Sequence, residues 1–123
     1  MTIKDQFGQK PIHLKWNVVR GDTAKLKVEF LENDEVTYFD ISDWTFASSA
    51  YDSKGDVVDE LDVTVGDGYV EIVAPSDVTE TWGEGFSSVI AELAFDLEIT
   101  TTDEIWTPVI GTIVVAADIT GSL

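Results

Sequence analysis

The chain has 123 residues, with 24 acidic and seven basic side chains, a formal charge of −17 and no cysteine. That length fits one domain able to bury a core without disulfides or metal, and 44% hydrophobic residues exclude intrinsic disorder. The charge disfavours contact with nucleic acid or anionic membranes, and the lack of Cys removes a thiol nucleophile, a thiolate zinc site and any disulfide.

Residues 1–12 show no clear period and are read as an N-terminal arm carrying Phe7, Pro11 and Ile12, ahead of a β-sandwich domain over 13–123. The arm opens on MTIKDQFGQK, which has no apolar segment of the kind a signal peptide needs, so secretory export is not expected. Leu14, Trp16 and Val18 alternate as a first strand, and Arg20-Gly21-Asp22 reads as ordinary hairpin chemistry rather than an adhesion motif. In Thr23–Phe30, Ala24, Leu26, Val28 and Phe30 share one face while Lys25, Lys27 and Glu29 share the other. Turn residues at 31–35 precede a short extended run over Val36–Phe39. Another strand opens at Trp44 and Phe46 and stops at Asp52-Ser53-Lys54-Gly55-Asp56. Val57–Val65 and Tyr69–Ala74 flank Gly66-Asp67-Gly68, a hairpin signature. After Pro75, residues 76–82 begin with helix-capping residue types, and one helical turn is expected there.

Phe86–Ile99 alternates again, and Ile105–Ile119 supplies one or two closing strands around Pro108 and Gly111. The apolar stretch from Val109 to Ala117 is far shorter than the roughly 20 residues a membrane span needs. Strands this short and numerous predict an all-β fold: a single immunoglobulin-like antiparallel β-sandwich of about seven to nine strands, favoured over a small barrel.

Charge is unevenly spread along the chain. All seven bases lie in residues 1–54 against nine acids, and residues 55–123 hold 15 acids and no base. Carboxylates of the second half must therefore face mainly solvent, cations or a basic partner.

Few residues carry a catalytic signature. His13 is the sole His, no Gly-x-Ser-x-Gly elbow accompanies it, and there is no phosphate-binding loop. Gly83-Glu84-Gly85 lacks the third glycine and following helix of a dinucleotide site. The acid-rich stretches Glu32–Glu35 and Asp56–Asp62 do not follow the spacing of a calcium loop, so neither a metal nor another cofactor is expected. A glycosidase would need two carboxyls facing across a cleft, for which a domain this small leaves little room. Four Trp are many for this length: Trp16 and Trp44 fall in phase with core positions, whereas Trp82 and Trp106 follow turns. An exposed Trp82 or Trp106 would serve as a protein-interface anchor or as a stacking platform for a sugar. The candidate interface is thus Phe7, Pro11, Ile12, Trp82 and Trp106.

The order of several blocks resembles a known family. Arg20-Gly21-Asp22-Thr23 leads into an alternating strand, and Phe39–Phe46 (FDISDWTF) is similar to a "D-L-T-G-a-t-v-t-f" block. Glu92–Thr100 (ELAFDLEIT) resembles "Y-x-Y-D-I-x-x-T", and Thr107–Thr120 (TPVIGTIVVAADIT) resembles "t-l-x-x-G-x-i-x-V-x-x-D-v-T". These blocks span about residues 14–120 and resemble the small β-sandwich domain of tailed-bacteriophage virion proteins, typified by the N-terminal domain of baseplate upper proteins. Two positions depart from the pattern: Phe95 stands where Tyr is usual, and Ser42-Asp43 where Thr-Gly is usual. In that family a longer host-binding or fibre-carrying region follows, whereas only Gly121-Ser122-Leu123 follow Thr120. The resemblance implies a non-catalytic virion structural protein of the tail or baseplate, assembled in the host cytoplasm. Its partners would be other virion proteins and further copies of itself, with no nucleic acid and no membrane. A capsid decoration protein and a glycan-binding module are the alternatives.

Overall fold

The computed structural model describes residues 2–3, 12–31, 36–38, 40–82 and 90–116. Alternating side chains build eight strands: β1 (Thr2–Ile3), β2 (Ile12–Val19), β3 (Ala24–Phe30), β4 (Thr45–Tyr51), β5 (Val57–Val65), β6 (Tyr69–Ala74), β7 (Ile90–Thr100) and β8 (Ile105–Ala116). One short helix, α1 (Ser76–Thr79), separates β6 from β7. The all-β class and the helical turn are as the sequence predicts.

The strands form one sheet in the order β1-β3-β6-β5-β4-β7-β8-β2, nearly closed into a barrel. β5 makes the corner. Its first half pairs with β4 as far as Leu61, and Asp62–Val65 pairs with β6. The layers expected of a sandwich are therefore continuous through β5. Strands β3-β6-β5 and β4-β7-β8 do follow the order of the B-E-D and C-F-G strands of immunoglobulin-type domains.

Pairing also departs from the all-antiparallel expectation. β2 runs parallel to β8, from Ile12 opposite Val109 to Val19 opposite Ala116, and β1 runs parallel to β3. Parallel pairing needs a long connection between partners, and here almost the whole chain intervenes between β2 and β8. The Arg20–Asp22 segment is consequently a crossing rather than a hairpin, since β2 pairs with β8 while β3 pairs with β6. Gly21 adopts φ 93° there, a conformation costly for residues with a Cβ.

The arm predicted for residues 1–12 is partly built into the sheet, with Thr2–Ile3 pairing against Glu29–Phe30 and Ile12 opening β2. The helix starts from Pro75, whose carbonyl accepts the Val78 and Thr79 amides, and no side chain caps it, so Ser76 is not the cap its residue type suggested. Of the extended run at 36–39, the described part makes a single bridge, Tyr38 to Leu31.

Inward residues of both halves share one core that includes Trp16, Val28, Phe30, Ile72, Phe95, Leu97, Val109 and Ile113. Trp16 meets Phe95 edge to face at 5.6 Å, and Phe30 meets Trp44 at 5.5 Å with ring planes at 84°. Such offset geometries align the positive edge of one ring with the negative face of the other.

Candidate interaction surface

The two Trp proposed as exposed anchors are in the core. Trp82 is 1% exposed, and its indole nitrogen donates to Asp59 Oδ2 at 2.7 Å. The chain turns sharply after α1, with the Trp82 amide bonded to the Thr79 carbonyl, and this swings the ring inward. Trp106 is 7% exposed. Its misreading has a geometric cause, because the β7–β8 register shifts between Leu97, opposite Val109, and Ile99, opposite Trp106. The extra residue lies at Thr107–Pro108, where a bulge suits a residue with no N–H to offer. That bulge reverses the inward parity, so Trp106 and Val109 face the core although they are an odd number of residues apart. Ile12 is half-buried against the core at the start of β2. Phe7 and Pro11 lie outside the described residues.

With both Trp buried, the stacking surface on which a glycan-binding reading rested is gone. Among the described residues, shallow depressions line the surface at two places of note. One, of about 300 Å³, is lined by Tyr38, Asp40, Ile41, Ser42 and the Gly66–Gly68 turn. The other, of about 330 Å³, is lined by Asp43, Trp44 and residues 101–104. In the first, Ser42 donates to Asp40 Oδ1 through its hydroxyl at 2.6 Å and its amide at 3.1 Å, which lowers the Asp40 pKa. In the acid-rich stretch 56–62, Asp59 holds the Trp82 indole while Glu60 and Asp62 are exposed. Glu32–Glu35 lies outside the described residues. Among the described residues, no three His, Asp or Glu side chains are grouped as metal ligands.

What the fold does assemble is a charge-sorted surface. Among the described bases, Lys15 is on β2, Lys25 and Lys27 are on β3 and Arg20 is between them, while Lys54 sits in the β4–β5 turn. Lysine on exposed edges disfavours pairing with a foreign strand. Over β3, the cations are matched within the sheet: Lys25 lies 4.0 Å from Glu71, and Lys27 sits 4.4 Å above the Tyr69 ring. Tyr38 adds a hydrogen bond to Glu29 at 2.6 Å, which raises the Tyr38 pKa.

The outer face of β4, β7, β8 and β2 is arranged differently. Down β8 run Ile110, Thr112, Val114 and Ala116, each half-buried. On one side β7 contributes Glu92, Asp96 and Glu98; on the other β2 contributes His13, Lys15 and Asn17. Asp96 is tied to β4, accepting from the Tyr51 hydroxyl at 3.0 Å and the Ser49 amide at 3.3 Å. Burial first, and then that hydrogen bond, raise the Tyr51 pKa. The Ser48 hydroxyl beneath donates to the Asp96 carbonyl at 2.5 Å. Sequence reading missed this surface because it weighed Trp residues singly; the outward half of each alternating strand was the available signal.

No protein-family model matches the chain, and no curated protein does. Among solved structures, it is similar to the "N-terminal domain of phage TP901-1 ORF48", with a TM-score of 0.40 and 9% identity. The match covers 95% of this chain and 94% of that one.

Proposed function

We propose that the chain is a non-catalytic structural module of a tailed-phage virion, acting in the tail or baseplate through protein–protein contacts. The observation that carries the reading is where the family-like blocks fall. Phe39–Phe46 enters β4, Glu92–Thr100 lies within β7, and the block from Thr107 runs along β8. These three strands are neighbours in the sheet and, together with β2, present the charge-sorted outer face, while the Arg20–Thr23 block leads into β3. Blocks scattered in sequence thus supply one continuous surface, the kind of element that repeated assembly contacts use. The chain needs no cofactor for this role, and its partners are other virion proteins rather than nucleic acid or membrane. Assembly takes place in the host cytoplasm, and the finished protein resides in the particle.

Quantitative mass spectrometry of purified particles of the encoding phage tests the proposal. Between a few and a few tens of copies, in multiples of three, six or twelve, are expected for a tail or baseplate component. Hundreds of copies would move the protein to the capsid surface as a decoration protein. Absence from the particle would overturn the virion reading altogether.

A further inference from the structure

We propose that the outer face of β7, β8 and β2 is the contact surface between two copies of this chain, packed face to face about a two-fold axis parallel to β8. The inference rests on the assembly reading and names the surface that does the assembling.

The argument begins with the rows across the sheet. Ala94, Thr112 and Lys15 are in register, because Ala94 pairs with Thr112 and Thr112 with Lys15. Glu92 lies one outward position along β7 from Ala94, and Asp96 lies one position the other way. Each step of two residues is about 7 Å along the strand. A two-fold axis along β8 keeps every row at its own height and exchanges the two sides. Lys15 of one copy then faces Ala94 of the second, between Glu92 above and Asp96 below, and the same arrangement repeats across the axis. A two-fold axis perpendicular to the strands, in the plane of the interface, would instead set acidic β7 over acidic β7. Charge complementarity thus selects one orientation, and an isologous interface requires that self-complementarity.

The centre of the contact is suitably apolar. Ile110, Val114 and Ala116 run down its middle, and Val19, 42% exposed, closes one end. Three strand widths by eight residues give a footprint of about 380 Å² per copy, below the size of standard stable interfaces. Association of the isolated protein is accordingly weak and is reinforced where copies are held together in a particle. Long-range repulsion between two chains of charge −17 is screened beyond about 8 Å in physiological salt, while the contact charges are not.

Sedimentation equilibrium of the full chain in about 0.15 M salt, from about 1 to about 500 µM, reads the result directly. A monomer–dimer equilibrium is expected. Lys15→Glu should raise its dissociation constant at least about tenfold, since the symmetry places the change twice in each dimer. Glu92→Lys should weaken association similarly, and the double variant should recover affinity to within about threefold of wild type. Val114→Asp should abolish the dimer while the near-ultraviolet circular dichroism of the Trp residues stays unchanged. A wild-type chain that remains monomeric throughout, or a dimer indifferent to Lys15→Glu and Val114→Asp, would overturn the proposal. Such a failure is distinct from failure of the virion reading, which the copy number in particles decides.

Discussion

Thr79 is 0% exposed, and its hydroxyl fastens two distant parts of the chain. It donates to the Asp22 carbonyl at 2.7 Å and accepts the Gly21 amide at 3.1 Å, locking the β2–β3 crossing onto α1. Neither backbone group belongs to a strand ladder, so losing the hydroxyl strands both. Thr79→Val keeps the shape and removes the partner, and should cost about 1–3 kcal/mol in urea unfolding, whereas Thr79→Ser should cost less. An unchanged midpoint for Thr79→Val would mean that water replaces the hydroxyl without penalty. Nothing in the sequence announces this role, because Thr79 lies outside any strand and its partners are far away in the chain. Trp82 was opaque for the same reason, since alternation reports facing only within strands. Trp106 does sit in a strand, but the bulge at Thr107–Pro108 shifts the phase before the apolar run that would have revealed it.

Elements were legible where their chemistry is local. The β4–β5 turn is closed by the Asp52 carboxylate, which accepts the Lys54 and Asp56 amides at 2.9 and 3.0 Å, and its turn signal was plain. The Gly66–Gly68 hairpin likewise follows its sequence: Gly68 has φ 76°, and a Cβ there would collide with Tyr38. The crossing at Arg20–Asp22 looked the same in sequence, yet turn residues say only that the chain bends and not which strand receives it. The partner of β2 comes from the far end of the chain, beyond the reach of any local pattern. Gly111 marks that junction. It sits between Leu14 and Phe95, and an added Cβ would strike the Leu14 carbonyl and come within 2.9 Å of the Phe95 ring. Neither the paired backbone nor a ring already packed on Trp16 can yield freely. Gly111→Ala should therefore destabilise the domain by about 1–3 kcal/mol, the usual penalty for overpacking. Amide hydrogen exchange should show the loss first in β2, the edge strand that pairs with β8 among the described strands. Equal loss of protection in β6 would mean that the whole barrel, rather than its β2 edge, responds.

At the scale of the whole molecule, the sequence displays its charge but not how the charge is sorted. That sorting arises because the strands of the first half that carry bases, β2 and β3, end on opposite sides of the sheet order, with the two-residue β1 beyond β3. The described acids of the second half lie on the strands, turns and short helix between them. Among the described residues, few bases are close enough to offset neighbouring carboxylates, so like-charge repulsion opposes the compact state. At about 0.01 M salt the screening length is about 30 Å, comparable to the width of a small domain, and most of that repulsion is felt. At about 0.5 M it falls to a few ångströms and only contact pairs survive. Thermal unfolding followed below the self-association range should thus show the melting temperature rising with added NaCl. About 1 kcal/mol of relieved repulsion corresponds to a shift of about 4 °C in a domain of this size. The opposite sign would mean that close pairs such as Lys25–Glu71 outweigh the excess of carboxylates. Those pairs are exposed, and exposed pairs contribute at most about 1 kcal/mol each, so the repulsive term is expected to prevail. The same excess makes a neutral or basic surface the favoured neighbour for the acidic strands. The proposed self-contact accordingly uses the face where Lys15 and the β7 carboxylates share a sheet.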